Sequence, residues 1–395
     1  MAKVIVHIDL NAFFVRAEEI KDPSLVGKSV AIGHLGRAGI VSTCSYKARE
    51  YGVRSGMPMN KAVQLCPDLI IIHGDYKYYS KLSKNFISYV KRYTPLVEQA
   101  SVDECYADFT LQIKKCNDPI KFFKDFQEGL YKETKLYCSI GVSITKFLAK
   151  MGSDYKKPNG LTFIRKKDIA TILYPLAIED MFGIGKKTSP RLRSINVNTI
   201  GDLYYNLVNK DQMTLDILGS FSSVLKDWLE GKGSDEIILE FDPAKSIGAS
   251  TTLFEDTNEY EIISKTFKEL AKEVSSRANE SDQVGTTIQI MAKDTMYKAH
   301  IKSVTIDEPT NKWEKIYSVA MKLYEKNYSS LVVRAVGVTL QKLIDKKDMV
   351  VQMTFFDYEE HIKQSATKML INELNKKLSK PSLKRLSEVK KNVSK

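Results

Sequence analysis

The hydrophobic and polar positions of the first 165 residues follow two alternating periods. Short apolar runs, and segments with an apolar residue at every second position, predict strands. These lie near 4–10, 29–33, 40–45, 69–73, 96–101, 104–109, 137–144 and 161–165. Segments with apolar residues every three or four positions predict helices near 13–20, 46–52, 76–93, 119–135 and 145–154. This mixture predicts an α+β or α/β body.

Beyond Arg165 the pattern becomes mostly helical, and from about Lys245 to Ile344 it is mixed again. Strands are predicted at 246–252, 284–293, 299–305 and 332–343, with a helix over 311–326. The segment 228–242, with glycines and acidic residues, is typical of a tether. A length of 395 residues allows two or three domains, so we expect a multidomain α+β protein.

The chain is basic, with 60 Lys and Arg against 48 Asp and Glu and a formal net charge of +12. This surplus favours a polyanionic partner, first of all nucleic acid, although a basic protein without such a partner fits the charge as well. The five cysteines show no CxxC spacing, so neither a disulfide framework nor a zinc site is predicted. Since neither a signal sequence nor a membrane span is indicated, we expect a cytoplasmic protein without membrane contact.

Two acidic sites beside apolar strands are the first candidates for chemistry. Asp9 ends the apolar run 4–8, and Asp103-Glu104 lies between two strand-like segments. Burying unpaired carboxylates is costly and crowding them raises their pKa values, so a cation is expected beside them. Oxygen ligands without His or Cys favour Mg²⁺ or Mn²⁺ over zinc. Taken alone, these residues could equally be a strand cap and an exposed turn.

The geometry of such a site can be anticipated from the strand period. Alternation places Asp9 on the face opposite the aliphatic residues of its strand, which we expect to be an open side of the sheet. Neighbours such as Asp103 and Glu104 point to opposite faces of a regular strand. For both to serve one site the backbone must turn, and the flanking segments 97–101 and 105–109 predict a hairpin with the acidic pair at its tip.

Four motifs in order and in approximate spacing resemble those of the Y-family translesion DNA polymerases. They are His7-Ile-Asp-Leu-Asn-Ala-Phe-Phe14, Ser45-Tyr-Lys-Ala-Arg49, Ser101-Val-Asp-Glu104 and Lys157-Pro-Asn-Gly160. The resemblance is to the bacterial DinB, or DNA polymerase IV, branch and covers residues 1–345. It implies a right-hand polymerase with palm, fingers and helical thumb plus a little-finger domain. The implied limits are palm 1–12 and 77–167, fingers 13–76, thumb 168–235, linker 236–244, little finger 245–345 and a clamp-binding tail 346–395.

The resemblance implies an error-prone polymerase that adds deoxynucleotides to a primer 3′ end on damaged template by two-metal phosphoryl transfer. Asp9, Asp103 and Glu104 would be the catalytic acids and coordinate two Mg²⁺ ions, with Mn²⁺ able to substitute, and the Leu10 carbonyl would add a backbone ligand. Asn11 departs from the Asp often found at its position. Because that acid need not be a ligand in the family, activity is still expected.

The triphosphate is assigned to a second group of residues. Tyr46 and Arg49 lie three residues apart on one face of a predicted helix, and a guanidinium donates to several phosphate oxygens at once. The resemblance gives these two residues the triphosphate, together with Lys157 and, more weakly, Thr43. In isolation, each of these residues would more often be a solvated surface group.

Phe13 and Phe14 directly follow the first strand and, taken alone, are ordinary core aromatics. The resemblance assigns both to nucleotide binding and makes Phe14 the steric gate, a ring that would collide with a ribose 2′-hydroxyl. The expected substrates are therefore deoxynucleoside triphosphates. The glycine-bearing segment 33–39 supplies little bulk over the nascent base pair, and weak contacts of this kind are typical of low fidelity.

Contacts with primer-template DNA are expected beyond the palm. The segment 181–203 is predicted to contain a helix-hairpin-helix, in which Gly183 and Gly185 let backbone N–H groups approach a phosphate and Lys186 adds charge. Such a contact holds the DNA backbone without reading its sequence. Further candidate phosphate contacts in the little finger are Lys245, Arg334 and Lys342, although charged strand residues are often simply solvated.

The segment Gln352-Met-Thr-Phe-Phe356 resembles the pentapeptide by which bacterial polymerases hold the sliding clamp. Gln352, Met353, Phe355 and Phe356 are the candidate contacts, because adjacent exposed aromatics suit a partner's pocket. The alternative is a strand over 350–356 packed on the little finger. We expect a monomer that binds DNA, deoxynucleoside triphosphates and a clamp.

Two other functions fit parts of the pattern. A nucleotide cyclase also pairs metal-binding acids in a palm-like domain, but it gives no reason for a thumb, a steric gate or a clamp peptide. A catalytically inactive DNA-binding accessory protein recruited by the clamp would need none of the three acids at Asp9, Asp103 and Glu104, and all three are present.

Overall fold

The computed structural model describes residues 3–240 and 242–348, which divide into two compact units, one ending at Asp242 and one beginning at Pro243. Each unit has a hydrophobic core of its own. The boundary falls inside 236–244, where the sequence predicts a linker. In the part of the chain that the structure describes, none of the helices combines the length and hydrophobicity needed to cross a bilayer.

The first unit mixes short strands with helices. Its strands are β1 (Ile5–Leu10), β2 (Val30–Ile32), β3 (Thr43–Cys44), β4 (Ile70–Ile72), β5 (Val97–Gln99), β6 (Glu104–Asp108), β7 (Cys138–Ser143) and β8 (Leu161–Phe163). Its helices are α1 (Phe13–Lys21), α2 (Tyr46–Glu50), α3 (Met59–Leu65), α4 (Tyr76–Lys91), α5 (Thr110–Lys114), α6 (Pro119–Thr134), α7 (Lys146–Tyr155), α8 (Ile169–Ile172), α9 (Ser189–Arg193), α10 (Ile200–Val208), α11 (Gln212–Leu218) and α12 (Phe221–Leu229). Every strand and helix predicted up to residue 165 is present, and α3 and α5 are additional.

A five-stranded sheet in the order β5-β6-β1-β7-β8 organises the first part of this unit. The central strand β1 is antiparallel to both neighbours, with Asp9 opposite Glu104 on β6 and Ser139 on β7. β5 and β6 are antiparallel, so the predicted hairpin is confirmed, while β8 runs parallel to β7. The register thus brings together acids that lie far apart in the chain.

One face of the sheet is covered by α1, α4 and α6. The N-cap residues of α4 and α6 are Asp75 and Asp118. Their carboxylates accept hydrogen bonds from the backbone N–H groups of Tyr78 and Lys121, respectively. Their apolar sides, with Pro119 opening α6, meet the aliphatic residues of β1 in a core rich in aromatic rings, including Tyr79, Phe86, Phe109, Phe123 and Phe126. Fully burying one such ring stabilises the fold by about 1.5–3 kcal/mol.

The other face of the sheet is covered by α7, whose N-terminus is capped by Thr145 through a hydrogen bond from the Leu148 N–H. β1 is therefore buried along its whole length, and the expectation of an open side at Asp9 is wrong. Strand alternation reveals which residues share a face but not whether a later helix covers it. The close approach depends on Gly141, where a Cβ would lie 1.9 Å from the Ala149 carbonyl oxygen.

A small sheet in the order β3-β2-β4 follows α1 in the chain. β2 is antiparallel to β3 and parallel to β4, and these strands form a separate apolar core with α2 and α3. β3 is shorter than the predicted strand 40–45. The reason is that Ile40 forms a bridge with Pro58 and the Val41 N–H donates to Met57, so this stretch leaves β2.

The helices α8 to α12 form a third apolar core of the first unit. The segment 181–188 connects a 3-10 turn at Ile178–Asp180 to α9 and is the loop of the predicted hairpin. α10 begins with a capping box, in which Thr199 Oγ1 accepts from the Asp202 N–H and Asp202 Oδ2 accepts from the Thr199 N–H. Burial would raise the pKa of Asp202, but backbone hydrogen bonds from Thr199 and Asn198 outweigh it and lower that pKa.

The second unit is a four-stranded antiparallel sheet in the order β11-β10-β12-β9, with two helices on one face. Its elements are β9 (Ser246–Thr257), α13 (Tyr260–Glu280), β10 (Gln283–Asp294), β11 (Ala299–Thr310), α14 (Trp313–Tyr328) and β12 (Val333–Asp345). The predicted strands and α14 are present, whereas α13 is missing from the predicted elements. Its buried residues nevertheless recur at helical spacing: Ile263, Phe267, Leu270, Val274 and Ala278.

Candidate active site

The predicted acids meet at the end of β1. Asp9 is only 5 % exposed and lies opposite Glu104, the first residue of β6. Between β5 and β6 the chain bends at 101–103, and the backbone N–H groups of Ala100 and Ser101 both donate to the Glu104 carbonyl. This bend is the turn that Asp103 and Glu104 need in order to border one site.

Asp103 lies at the rim of this site, in the bend. Its Oδ1 accepts a hydrogen bond from Ser101 Oγ at 2.6 Å, and its carbonyl accepts one from the Leu10 N–H at 2.9 Å, which ties the hairpin tip to β1. A pocket of about 250 Å³ opens here. It is lined by the residues predicted for metal and nucleotide, namely Asp9, Leu10, Phe13, Phe14, Thr43, Tyr46, Arg49, Asp103, Glu104 and Lys157, and additionally by Ala12, Ser42 and Ser55.

The wall formed by α2 carries an aromatic ring and a guanidinium. The Arg49 guanidinium lies 4.6 Å from the centre of the Tyr46 ring, a distance typical of a cation–π contact. Ser45 fixes the start of α2, because its Oγ accepts from the Ala48 N–H at 3.1 Å and donates to the Lys28 carbonyl at 3.0 Å. The predicted placement of Tyr46 and Arg49 on one helix face is therefore present.

Two lysines contact the acids from the side of α7. Lys157 Nζ lies 2.7 Å from both Asp9 Oδ2 and Asp154 Oδ1. Lys150 Nζ lies 2.6 Å from Glu104 Oε1, 3.2 Å from Asp9 Oδ2 and 3.4 Å from Asp154 Oδ2. The buried carboxylates are thus paired, as their desolvation requires.

Asp9 and Glu104 perturb each other's protonation. Burial and the hydrogen bond with Glu104 raise the pKa of Asp9 to about 7, against the opposing effect of Lys157 and Lys150. Burial also acts to raise the pKa of Glu104, but interactions with His7, Asp9 and Lys150 outweigh it and hold that pKa well below its usual range. A divalent cation bound to these two carboxylates would stabilise both of them in the charged form.

His7 supports Glu104 from within the sheet. Its ring is fully buried, with Nδ1 2.8 Å from Ser153 Oγ and Nε2 3.6 Å from Glu104 Oε2. Burial lowers the pKa of His7. Among the described residues, Nε2 finds no hydrogen-bond partner, so its contact with Glu104 is electrostatic and longer than a hydrogen bond.

The chemistry of the donor set fits a divalent cation. Asp9, Asp103 and Glu104 line one pocket together with Leu10, and carboxylate and carbonyl oxygens are the hard ligands that Mg²⁺ and Mn²⁺ prefer. Within 3–240 and 242–348, no three His, Cys, Asp or Glu side chains already surround a common point. The carboxylate oxygens are in contact with Lys150, Lys157 and Ser101, so a bound ion would have to replace some of these contacts.

Phe14 has a defined position at the pocket. Its ring stacks on Tyr79 with 4.4 Å between centroids and meets the Tyr76 ring edge-on at 5.7 Å. Tyr79 is fixed in turn, because its hydroxyl donates to Glu18 Oε1 at 2.6 Å. Phe13 is 2 % exposed and belongs chiefly to the core, so Phe14 is the more exposed of the two rings that line the pocket.

Some residues at this site carry no prediction from the sequence. Lys150 and Asp154 are among them. The sequence feature that could have indicated them is their separation by four residues, which places both on one face of α7. Asn11 donates from Nδ2 to Ser139 Oγ at 2.9 Å and accepts from the Asn159 N–H at 2.7 Å. It therefore ties the end of β1 to the loop that follows Lys157.

The predicted hairpin loop of the thumb is exposed on the surface. Gly183, Gly185 and Lys186 are exposed, while Ile184 between the glycines is buried and anchors the loop. Gly183 has a φ of 94°, in the left-handed region that favours glycine, and a Cβ there would lie 3.0 Å from the Phe221 ring.

The candidate phosphate contacts of the second unit differ in availability. Lys245 and Lys342 are exposed. The Arg334 guanidinium instead forms two hydrogen bonds with Asp256, at 2.9 and 3.2 Å, and lies 4.3 Å from the centre of the Tyr297 ring. Arg334 is thus already paired with an acid, and its contact with a phosphate stays a prediction. The predicted clamp contacts, Gln352, Met353, Phe355 and Phe356, lie outside the described residues.

Family models match three stretches of the chain. The model of the impB/mucB/samB family matches residues 8–154, and that of the family's C-terminal domain matches residues 244–355. Between them, the IMS family HHH motif matches residues 166–197. The last match includes the loop with Gly183, Gly185 and Lys186.

Individual proteins are similar over the whole length. DNA polymerase IV of Bacillus velezensis is 36% identical, covering 100% of this chain and 95% of the relative, and DNA polymerase IV 1 of Bacillus subtilis is 34% identical with the same coverage. Among solved structures, a Y-family DNA polymerase chimera of Dbh and Dpo4 superposes with a TM-score of 0.74 at 24% identity, covering 87% of this chain and 99% of the other. DinB from Sulfolobus solfataricus gives 0.58 with the same identity and coverage. The likeness to these structures confirms the predicted α+β fold.

Proposed function

The chain belongs to the impB/mucB/samB family of Y-family DNA polymerases, and we propose that the pocket at the end of β1 is where it extends a primer. As a member of that family it is an error-prone translesion DNA polymerase. The observation that carries the proposal is that one pocket is bordered by the acids Asp9, Asp103 and Glu104 and by the cationic groups of Arg49 and Lys157. Phosphoryl transfer needs both, because catalysis consists of positioning and charge stabilisation.

The acids would hold the catalytic metals, which we propose are two Mg²⁺ ions, with Mn²⁺ able to substitute. Asp9, Asp103 and Glu104 would hold them, and the Leu10 carbonyl would add a backbone ligand. Bound there, the ions would activate the primer 3′-hydroxyl and neutralise charge on the triphosphate. The contribution of the chain is to hold these oxygens at the ends of two paired strands, where the register of β1 and β6 fixes their spacing.

Triphosphate binding would fall to Tyr46, Arg49, Lys157 and the Thr43 hydroxyl. The Arg49 guanidinium is already oriented by the Tyr46 ring, so little side-chain entropy remains to be lost when it binds phosphate. Lys157 points at Asp9 and Asp154, and it can reach a phosphate by giving up one of these contacts.

Selection of the sugar would depend on Phe14. Its stack on Tyr79 holds the ring in place, and the hydrogen bond from Tyr79 to Glu18 holds the stack. A ring fixed in this way cannot move aside for a 2′-hydroxyl without losing packing. We therefore propose deoxynucleoside triphosphates as substrates.

Primer-template DNA would be held by the thumb loop and the little finger. Gly183, Gly185 and Lys186 suit a phosphate contact, and Lys245 and Lys342 can add charge. Arg334 would contribute only by exchanging Asp256 for a phosphate. The net charge of +12 supports such contacts, whose affinity should fall as salt rises.

For the domain limits, we propose palm 1–12 and 77–167, fingers 13–76, thumb 168–235, linker 236–244, little finger 245–345 and tail 346–395. The tail would bind a sliding clamp through Gln352, Met353, Phe355 and Phe356, and the enzyme would act as a monomer. The boundary between the two compact units, after residue 242, falls within the proposed linker.

Primer extension by the purified full chain tests the function. We expect incorporation of deoxynucleotides opposite intact and damaged template bases with Mg²⁺, and none when EDTA removes it. Absence of metal-dependent incorporation would refute the proposal and leave the inactive accessory protein, whereas conversion of a nucleoside triphosphate to a cyclic nucleotide would favour the cyclase. The match to the IMS family HHH motif argues against the cyclase, which gives no reason for such a motif.

A further inference from the structure

Lys150 is a buried ammonium group at the centre of the acidic cluster. The residue is 8 % exposed, and its Nζ lies within 3.4 Å of carboxylate oxygens of Glu104, Asp9 and Asp154. A buried charge is tolerated only when it is paired. Here each of the three acids pairs with Lys150. The acids therefore stabilise the buried ammonium, and the ammonium in turn stabilises the three carboxylates beside it.

The main chain of α7 holds Lys150 in place. Ser153 Oγ donates to the Lys150 carbonyl at 2.9 Å and also contacts His7 Nδ1, so the helix turn beneath the lysine is tied to β1. Lys146, one turn earlier on α7, also forms an ion pair that is partly buried, but its partner is Glu98, with 2.5 Å between Nζ and Oε2. Glu98 has no proposed role in metal binding.

The charges of the cluster nearly balance without any divalent ion. Three carboxylates, of Asp9, Glu104 and Asp154, face two ammonium groups, of Lys150 and Lys157. The Lys150 ammonium lies 2.6 Å from Glu104 Oε1 and 3.2 Å from Asp9 Oδ2, and these are oxygens that a metal would bind at about 2.0–2.1 Å. Lysine and metal therefore compete for the same oxygens.

We propose that Lys150 is a positioning residue that acts as an internal counter-cation, holding Glu104 and Asp9 together before a metal binds and thereby weakening metal binding to the free protein. This rests on the proposed function, since it takes Asp9 and Glu104 as metal ligands. The consequence is that metal binds well only together with a nucleotide, whose phosphates bring further ligands and negative charge. If Lys150 merely stabilised the fold, its removal would not increase the affinity for metal.

The test is a Mn²⁺ titration of the full chain without DNA or nucleotide, followed by the electron paramagnetic resonance signal of free Mn²⁺. Lys150→Met removes the charge and keeps most of the length, and we expect it to bind Mn²⁺ at least about tenfold more tightly, because a positive charge near the ion is gone. Lys150→Arg should stay within about threefold of the wild type. Lys146→Met is the matched control and should leave Mn²⁺ affinity unchanged.

Thermal unfolding with and without Mn²⁺ gives a second measurement. We expect Lys150→Met to melt below the wild type without metal and to gain more from added Mn²⁺, which replaces the missing charge. Folding only in the presence of Mn²⁺ would also support the proposal, whereas a variant unfolded under both conditions would overturn it.

Two results separate failure of the inference from failure of the proposed site. If the wild type binds Mn²⁺ and Asp9→Asn weakens that binding, the metal site stands, and unchanged or weaker binding by Lys150→Met overturns the role of Lys150. If Asp9→Asn binds Mn²⁺ as the wild type does, the metal site itself is wrong, and the inference falls with it.

Discussion

The replacement Gly141→Ala tests whether the contact between β7 and α7 positions the active site. An added Cβ would lie 1.9 Å from the Ala149 carbonyl oxygen and 2.4 Å from the Ser153 nitrogen, where ordinary contacts begin at 3.4 Å. The helix would have to retreat by about 1.5 Å, because the atoms in the way belong to its backbone. Overpacking of this kind costs about 1–3 kcal/mol, and we expect the upper end of that range.

The expected effects follow from what α7 carries. Loss of about 3 kcal/mol should lower the melting temperature of a unit of this size by roughly 6–12 °C. Lys150 would move with the helix, and the loop with Lys157 follows it. Since a displacement of about 1 Å can cost roughly a hundredfold in rate, we expect primer extension to fall by about that factor even at temperatures where the variant is folded.

Gly152→Ala is the matched comparison, because Gly152 lies on α7 at the same interface. Its added Cβ would meet the Gly141 Cα at 3.1 Å and the Thr162 carbonyl at 3.3 Å, which requires a shift of only a few tenths of an ångström. The strain is offset by about 1 kcal/mol of helix propensity. Circular dichroism melts and primer extension should therefore show little change. If Gly141→Ala melts and extends as Gly152→Ala does, the reasoning is refuted.

Asp103→Ala should abolish primer extension but leave DNA affinity, measured by fluorescence anisotropy, within about threefold of the wild type. The reason is that other residues bind the phosphate backbone of the DNA. A large loss of DNA affinity would contradict this. Phe14→Ala should admit ribonucleotides, and an unchanged ratio of kcat/KM for ribo- and deoxynucleotides would exclude the gate role. Replacing Phe355 and Phe356 with Ala should lower extension only when a clamp is loaded on the DNA; equal loss without clamp would favour the packed strand. Thr199→Ala should cost about 1 kcal/mol in unfolding experiments through loss of the α10 cap, and no change would show that the cap is dispensable.

Local patterns suffice for most elements and for the acidic hairpin. Two short strand-like segments, 97–101 and 105–109, flank the acidic pair Asp103-Glu104, and two such segments separated by a few residues are typical of a hairpin. The pairing of Tyr46 with Arg49 likewise follows from helix spacing. The resemblance to the Y-family, carried by four short motifs, predicted the family that the comparisons then showed.

Long-range packing accounts for what the sequence does not reveal. Nothing near Asp9 indicates that α7, more than 130 residues later, covers its face of the sheet. Lys150 looks like a solvated helix position until the acids it contacts are known, and Arg334 looks free until β9 brings Asp256 beside it. By contrast, α13 is a missed local signal, because its apolar spacing is plain in the sequence.

The central position of β1 has a consequence for how the chain folds as it is made. Among the described strands, β1 pairs with β6 and β7, whose residues follow it by about 100 and 135 positions. At roughly 5–20 residues per second, β1 leaves the ribosome about 7–27 s before the second of its partners does. During that interval an apolar strand with two unpaired edges is exposed to misfolding and aggregation. β1 is thus made before either of its partners, and its pairing in the sheet is complete only once β7 has been synthesised.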